Sequence, residues 1–216
     1  MMLVQTPSQI FKADFAFWKK ENQAVINQII SKENNAGDLK TVTEVVLDEN
    51  GIFEFESEEN STLIILTLYG KIQLNRFRKV ISSEEVFTLK TKEKSTVTIK
   101  NYLNNGKTDI LIIELQSLNP ENAFFIEELT IEKQNTLIPV SKKLETPNFI
   151  GLYEGRKEEI YSLYNPDKTI FGMVINGAFE FQNRLLETRD SILLREISAL
   201  EFEALSENAL ILLLEI

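Results

Sequence analysis

The chain has 216 residues, of which 43% are hydrophobic and 26% charged, and its formal net charge is −10. At about 100–200 residues per domain, this length allows one large domain or two small ones, and the acidic balance argues against nucleic acid and anionic membranes as partners. The sequence contains no Cys and no His, which excludes disulfides, thiolate and imidazole catalysis, and imidazole-bound transition metals.

The sequence also gives an expectation for the compartment. Residues 1–12 lack the order of basic, apolar and small residues that marks a secretory signal. The longest apolar run, residues 209–214, is far shorter than the ~20 residues that cross a bilayer. We therefore expect a cytoplasmic protein with no membrane partner.

Taken in chain order, the predicted elements begin with a short helix over residues 19–30, where good helix formers and apolar residues at i, i+3, i+4 spacing occur. The alternative is a covering segment whose Ile residues plug the end of a barrel. Further along, short runs rich in Val, Ile, Leu, Phe and Thr are separated by turn residues, which indicates many strands. Asn50-Gly51 lies between two such runs and predicts a type I′ hairpin.

An internal repeat is the most informative feature of the sequence. Residues 62–70 form a strand-like run that ends in Gly70, and a second run and an Asn-Arg pair follow at residues 71–76. The same order recurs with Gly177 in place of Gly70, and weaker matches continue as far as residues 110–114 and 210–215. The repeat predicts two tandem all-β halves of similar plan, each a small barrel or sandwich.

A polar stretch at residues 134–146 separates the two halves. It contains Pro139 and ends before Pro147, as is typical of a connection. The predicted domains are therefore residues 1–133 and residues 147–216.

The order of strand, glycine, strand, turn and acidic residue resembles a cupin, and two cupins in tandem make a bicupin. The C-terminal half resembles the C-terminal cupin of bacterial pirin-like proteins, the group that includes quercetin 2,3-dioxygenases, and the N-terminal half resembles their N-terminal cupin more faintly. These resemblances rest on residues 151–159, 177–186, 189–190 and 202–215 in the C-terminal half and on residues 9–14 and 51–70 in the N-terminal half. They imply an all-β bicupin of two tandem cupin-type β-barrels.

The resemblance also implies where a metal would be held. Pirin-like proteins that contain a metal bind it in the N-terminal cupin, through a His-x-His, a carboxylate and a further His. With Gly70 placed on the family's glycine, Glu56-Ser57-Glu58 stands at the His-x-His and Thr62 at the carboxylate, and no His exists elsewhere. We therefore expect no metal, no other cofactor and no catalytic residue of the family's kind.

Glu56 and Glu58 remain weak candidates for binding a hard cation such as Mg²⁺ or Ca²⁺. Burying two adjacent carboxylates without partners costs several kcal/mol. We therefore expect both side chains at the rim of the N-terminal cup or outside it, and an interior lined by apolar side chains of residues 63–68.

Two further groups of residues have a structural and a functional interpretation. Arg184, Arg189 and Asp190 match the family's C-terminal run, and we expect them to tie a β-turn together, with an anion site as the alternative. The aromatic side chains at positions 15, 17 and 18 are expected to pack their segment onto the body of the protein, with a ligand mouth as the alternative.

The sequence thus favours a metal-free, non-enzymatic pirin-like bicupin that binds a small molecule or a protein. One alternative is an enzyme resembling a quercetin 2,3-dioxygenase, with carboxylate ligands or no metal. Another is a structural scaffold that acts through oligomer contacts. The identity of the ligand and the formation of a homo-oligomer are left open.

Overall fold

The computed structural model describes residues 6–34, 36–74 and 79–216. These residues form 21 strands and two single-turn 3₁₀-helices, at Ala13–Phe15 and Lys32–Asn34, and no α-helix occurs among them. No helix in this part of the chain is long and apolar enough to cross a membrane. The predicted all-β fold is confirmed.

Contacts divide the chain into two compact units, an N-terminal unit of Phe17–Thr130 and a C-terminal unit that combines Met1–Ala16 with Ile131–Ile216. The C-terminal unit begins with strand β1 (Ser8–Phe11). The N-terminal unit contains β2 (Trp18–Glu21), β3 (Ala24–Ile30), β4 (Leu39–Leu47), β5 (Ile52–Ser57), β6 (Ser61–Tyr69), β7 (Lys71–Leu74), β8 (Val80–Ser82), β9 (Glu85–Thr91), β10 (Ser95–Asn101), β11 (Thr108–Gln116) and β12 (Ala123–Glu128). The C-terminal unit continues with β13 (Ile138–Pro139), β14 (Asn148–Tyr153), β15 (Glu158–Ser162), β16 (Ile170–Asn176), β17 (Ala178–Phe181), β18 (Arg184–Glu187), β19 (Ser191–Leu194), β20 (Ala199–Ala204) and β21 (Ala209–Glu215).

The N-terminal unit consists of a seven-stranded and a four-stranded antiparallel sheet, in the orders β12-β9-β6-β11-β4-β3-β2 and β5-β10-β7-β8. Its apolar core lies between the two sheets, because strand alternation turns one side of each sheet inward. Val45, Leu63 and Ile65 contribute to this core from the larger sheet, and Phe55 and Ile99 from the smaller one.

The C-terminal unit repeats this plan with a six-stranded sheet, β1-β19-β16-β21-β14-β13, and a four-stranded sheet, β15-β20-β17-β18. Each strand from β4 to β11 has a counterpart ten strands later, in the equivalent sheet and between equivalent neighbours, except that β12 lies beside β9 and β1 lies beside β19. The predicted repeat of two all-β halves is therefore present in the topology. The Asn-Arg pair at residues 75–76 that closes its first copy lies outside the described residues.

The sequence predicts domains at residues 1–133 and 147–216, joined by a connection at 134–146. These limits stay a prediction as the bounds of domains that fold on their own. The contacts depart from those limits at the start of the chain. Residues 6–16 group with the C-terminal unit because β1 pairs with β19, with Ile10 opposite Ile192.

The helix predicted over residues 19–30 is wrong. These residues form most of β2 and all of β3, joined by a turn in which Asn22 has a φ of 51°. The Val and Ile residues that gave the helical spacing are β-branched and favour strands. They pair along β4, with Ile26 opposite Val45, and this long-range ladder outweighs the local helical pattern.

The hairpin predicted at Asn50-Gly51 is also wrong, although a turn is present and Asn50 has a φ of 56°. The two strands that it joins lie in different sheets, β4 in the seven-stranded and β5 in the four-stranded one. A Cβ atom on Gly51 would lie 2.8 Å from the carbonyl oxygens of Asp48 and Gln23. The glycine is therefore required by close backbone approach where the chain crosses between sheets.

Candidate functional site

An open cleft of about 900 Å³ lies in the N-terminal unit, between β5 and β10 of one sheet and β9 and β12 of the other. It lies beside the two connections, β5–β6 and β9–β10, that cross between the sheets. The Asn60 N–H, in the first connection, donates to the carbonyl of Lys92 in the second at 3.2 Å. This volume lies within the range of about 300–1,000 Å³ that is usual for small-molecule pockets.

The inward-facing lining of the cleft combines apolar side chains with hydroxyls. Strand alternation places these residues on the core-facing side of their strands: Ser57, Leu89, Thr91, Ser95, Val97 and Phe124. The ring of Phe124 stacks at 6.2 Å on Phe87 of the core. The cleft is thus continuous with the apolar interior and has no ionised group on its inner wall among the described residues.

The hydroxyls are tied into local hydrogen bonds but keep some capacity for a ligand. Ser57 Oγ donates to the carbonyl of Ser95 at 3.1 Å, and the two Oγ atoms are 3.0 Å apart. Thr91 Oγ1 is 3.5 Å from the carbonyl of Glu58. Because a hydroxyl carries one donor and two acceptor lone pairs, each of these groups can still accept a hydrogen bond.

Charged side chains stand at the rim. Lys32 Nζ lies 2.7 Å and Lys94 Nζ 3.9 Å from the carboxylate of Glu58. The hydrogen bond from Lys32 and the positive charges around Glu58 lower the pKa of this carboxyl below its ordinary value. Lys90 pairs with Glu121 at 3.1 Å.

Glu56 and Glu58, the weak candidates for cation binding, do not converge. Glu56 is exposed near the end of β5, at the rim of the cleft, and Glu58 follows the strand and pairs with Lys32. Strand alternation makes Ser57 the inward residue of this stretch, and it turns Thr62 to the face opposite Leu63. Their role as cation ligands stays a prediction. Leu63 and Ile65 lie in the apolar core of the unit, as expected for the lining of the cup.

The residues at the position of the family's metal ligands do not fit a transition metal. The whole chain lacks the imidazole and thiolate donors that such ions prefer. Within residues 6–34, 36–74 and 79–216, no three acidic side chains lie close enough together to hold an ion. We therefore derive no chemical step through a metal.

A buried carboxylate beneath the rim was missed by the sequence analysis. Glu114 of β11 accepts hydrogen bonds at 2.7 Å from both the Glu58 N–H and Ser61 Oγ. Lys40 Nζ donates to Ser61 Oγ at 2.8 Å, and partial burial of this lysine lowers its pKa. The group holds the β5–β6 connection, which carries Glu58, against the larger sheet. An acidic residue inside the apolar run of β11 was the signal that could have found it.

The C-terminal unit repeats this buried carboxylate but has an aromatic interior. Glu215 of β21 accepts from the Tyr161 hydroxyl at 2.7 Å and from the N–H groups of Tyr164 and Asn165 at 2.9 and 2.7 Å. Tyr153 donates to Glu159. Burial raises the pKa of both Tyr153 and Tyr161 above the ordinary value.

The rings of this unit pack against one another inside its core. They form edge-to-face and stacked contacts with centroids 5.4–6.2 Å apart: Tyr153, Phe179, Phe181 and Phe202. Two of these rings correspond to core residues of the N-terminal unit, because Phe181 pairs with Phe202 as Leu74 pairs with Ile99.

The charge cluster of the C-terminal unit has the predicted structural role. Arg184 donates to the carbonyls of Gln182 and Thr6 at 2.8 and 2.7 Å, and Arg189 to that of Ile175 at 2.7 Å. Asp190 accepts from the N–H of Glu187 at 2.8 Å, across the turn that precedes β19.

The expectation for the aromatic residues near the start of the chain is wrong at two positions. Phe15 and Phe17 are 87% and 82% exposed, so these rings do not pack their segment onto the protein.

No protein-family profile and no curated protein matches the sequence. Among solved structures, bacterial pirin YhhW from Escherichia coli in complex with nickel(II) superposes with a TM-score of 0.81 at 9% identity, covering 97% of this chain and 99% of that one. A quercetin 2,3-dioxygenase from Acinetobacter baumannii gives a TM-score of 0.70 at 12% identity, covering 96% and 78%. A cupin 2 conserved barrel domain protein from Leptotrichia buccalis gives 0.58 at 14% identity, covering 100% and 99%. The chain has the pirin-like bicupin fold, as the sequence resemblance implied.

Proposed function

We propose that this protein binds a small amphipathic molecule in the cleft of its N-terminal unit, without a transition metal and without catalysis. The observation that carries the proposal is the cleft itself. It has the volume of a ligand pocket, and its inner wall combines apolar side chains with hydroxyls that can orient a bound molecule. A cytoplasmic location stays a prediction.

A thermal-shift screen of neutral amphipathic compounds tests this proposal, because a ligand that binds only the folded state raises the melting temperature. Quercetin, after the structural neighbour, and tryptophol, a neutral indole alcohol, are the first two probes. At least one compound is expected to raise the melting temperature in a saturable way. A screen in which no compound does so would favour a structural scaffold.

Two matched variants locate the binding. Phe124→Ala removes a half-exposed ring of the cleft, and Phe17→Ala makes the same change at an exposed site that does not line it. Loss of the ring contact is expected to weaken binding about fivefold in Phe124→Ala and to leave it unchanged in Phe17→Ala. Equal affinities in the two variants would contradict binding at the cleft.

The second candidate function is a dioxygenase like the structural neighbour from Acinetobacter baumannii. It would need a redox-active or Lewis-acidic metal, for which the chain offers no imidazole and no thiolate donor. Tag-free protein purified without chelator is expected to carry far less than one equivalent of transition metal and to consume no O₂ with quercetin. Stoichiometric metal together with flavonol-dependent O₂ uptake would make the dioxygenase the leading assignment.

A further inference from the structure

We infer that the cleft of the N-terminal unit selects a cationic amphipathic ligand, a protonated amine carried on an apolar ring system, over the anion of the same ring system. The inference rests on the proposed function, since it concerns which molecule the same cleft accepts.

The inner wall of the cleft can contact the apolar ring system of such a ligand, but its described residues offer no ionic partner to the charged group. Leu89, Val97 and Phe124 offer apolar surface, and the inward polar groups are hydroxyls. A charged group pushed against this wall would lose its hydration without gaining an ionic partner. The charge of a bound ligand therefore stays at the rim.

The two lysines that line the rim are already engaged. Lys90 pairs with Glu121 at 3.1 Å, and Lys94 lies 3.9 Å from Glu58, which Lys32 also holds. An anionic ligand would have to compete with these carboxylates for both ammonium groups.

Two rim carboxylates remain available. Glu56, at the end of β5, and Glu93, in the connection between β9 and β10, both line the cleft and are exposed. Neither has an ion-pair partner within the described ranges. Lys92, also in this connection, does not line the cleft. The rim thus presents two free carboxylates to an incoming ligand and no free ammonium group among its described lining residues.

The size of the preference follows from the exposure of these carboxylates. An exposed ion pair changes an equilibrium constant about two- to fivefold, and screening by salt reduces that effect. The rim carboxylates attract a cationic ligand and repel an anionic one. Two ligands with the same ring system but opposite charge are therefore expected to differ about tenfold in affinity at low salt.

Three indoles with the same ring provide the test: tryptamine is a cation, tryptophol is neutral and indole-3-acetate is an anion near pH 7. Calorimetric titration of the full chain at low salt is expected to give the affinity order tryptamine, tryptophol, indole-3-acetate. In about 1 M salt the three affinities should draw together, because the Debye length falls to about 3 Å. An anion that binds as tightly as the cation at low salt would overturn the inference.

A charge-matched pair of variants separates the rim from the overall acidity of the chain. Glu56→Gln with Glu93→Gln removes the two free rim carboxylates, and Glu49→Gln with Glu54→Gln removes two exposed carboxylates that do not line the cleft. The rim variant is expected to bind tryptamine about fivefold more weakly and tryptophol unchanged, and the control variant to match the parent protein. Equal losses of tryptamine affinity in both variants, or no loss in the rim variant, would overturn the inference.

The neutral probe keeps this inference distinguishable from the proposed function. Tryptophol binding that Phe124→Ala weakens, without a charge order among the three indoles, would overturn the inference and leave the proposed function standing. Failure of all three indoles to bind, or tryptophol binding that is insensitive to Phe124→Ala, would overturn both for this ligand class.

Discussion

At the scale of single residues, two buried glutamates perform the same task in the two units. Glu114 and Glu215 end the core-facing rows of β11 and β21, and each accepts hydrogen bonds from a backbone N–H of the connection that precedes the equivalent strand, β6 or β16. A buried carboxylate is tolerated only where such donors satisfy it. These glutamates therefore fix the connection that follows β5 in one unit and the connection that follows β15 in the other.

Glu114→Gln and Glu215→Gln should each lower the free energy of unfolding by about 1–3 kcal/mol, because the amide group turns a donor toward donors that the carboxylate had satisfied. Urea unfolding measures the loss. Native-state hydrogen exchange should locate it, with faster exchange at the Glu58 amide in the first variant and at the Tyr164 and Asn165 amides in the second. Unchanged exchange at these amides would contradict the assigned role.

Because Tyr153 and Tyr161 are buried, we expect the folded protein to lose stability against unfolding at alkaline pH. Their pKa values are raised by burial, so the folded chain keeps both phenols neutral while the unfolded chain ionises them near pH 10. Their effect on stability is therefore constant below about pH 10. Above that pH, stability falls by up to about 1.4 kcal/mol per pH unit for each tyrosine.

Phenolate absorbance and circular dichroism, followed together, check this alkaline transition. Of the five tyrosines, these two should ionise only as the chain unfolds. Tyr153→Phe should make the alkaline dependence of stability shallower. Ionisation of both phenols in protein that is still folded would contradict the assignment.

At the scale of elements, the positions that directly follow β6 and β16 require glycine, because of both their backbone conformation and the little space around them. Gly70 and Gly177 have φ values of 92° and 83°. A Cβ on Gly70 would lie 2.7 Å from Thr108 Oγ1, and one on Gly177 would collide with Ser206 Oγ. Gly106 has a φ of 97°, but a Cβ there would meet nothing within 4 Å.

A comparison of Gly106 with Gly70 and Gly177 separates the cost of a left-handed backbone conformation from the cost of close contact with neighbouring atoms. Gly106→Ala should cost about 1–2 kcal/mol of stability, because an alanine enters the left-handed region. Gly70→Ala and Gly177→Ala should cost about 1–3 kcal/mol more, since their neighbours must also move. Thermal or urea unfolding of the three variants checks the difference. Equal losses at all three positions would mean that the neighbours yield freely.

The same scale explains what the sequence could predict. Period-2 apolar runs and the repeated glycine indicated the strands and the two-halved plan, because both signals are local. The partners of a strand are set at long range, so the turn signal at Asn50 does not define which strands pair, and the spacing of the Ile residues in β3 fits a helix as well as a strand. The cost of burying unpaired carboxylates indicated that Glu56 lies at the rim of the cup or outside it, and the side chain is exposed, although the family resemblance alone aligned it with a metal ligand. Glu114 escaped notice because the donors that it binds are distant in the sequence.

At the scale of the whole molecule, the C-terminal unit is completed by the beginning of the chain. β1 pairs along β19, Arg184 binds the carbonyl of Thr6 at 2.7 Å, and Asp190 accepts from the N–H of Ala13 at 2.8 Å. These contacts span almost the full length of the sequence. A small domain that draws an edge strand from so far away gains stability only after a long loop has closed.

The ion pair between Lys12 and Asp190 tests this closure, with Nζ and Oδ2 2.5 Å apart. The side chain of Asp190 is 3% exposed and that of Lys12 is 32% exposed. The hydrogen bond and negative charge of Asp190 raise the pKa of Lys12 above its ordinary value of 10.5. A raised lysine pKa contributes stability that is present below the unfolded value and lost as pH rises through the folded one, so the pair should contribute fully at neutral pH.

A double-mutant cycle of Lys12→Met and Asp190→Asn, measured by urea unfolding, should give a coupling energy of about 1 kcal/mol, reduced from that of a buried pair by the exposure of the lysine. The coupling should hold between about pH 6 and pH 9, below the pKa of the lysine. Lys19→Met serves as the control, since Lys19 is exposed and contacts Glu21 on its own strand, and its combination with Asp190→Asn should be additive. Additivity in the Lys12 cycle would mean that the first strand is held by its backbone pairing with β19 and by Arg184, without help from this ion pair.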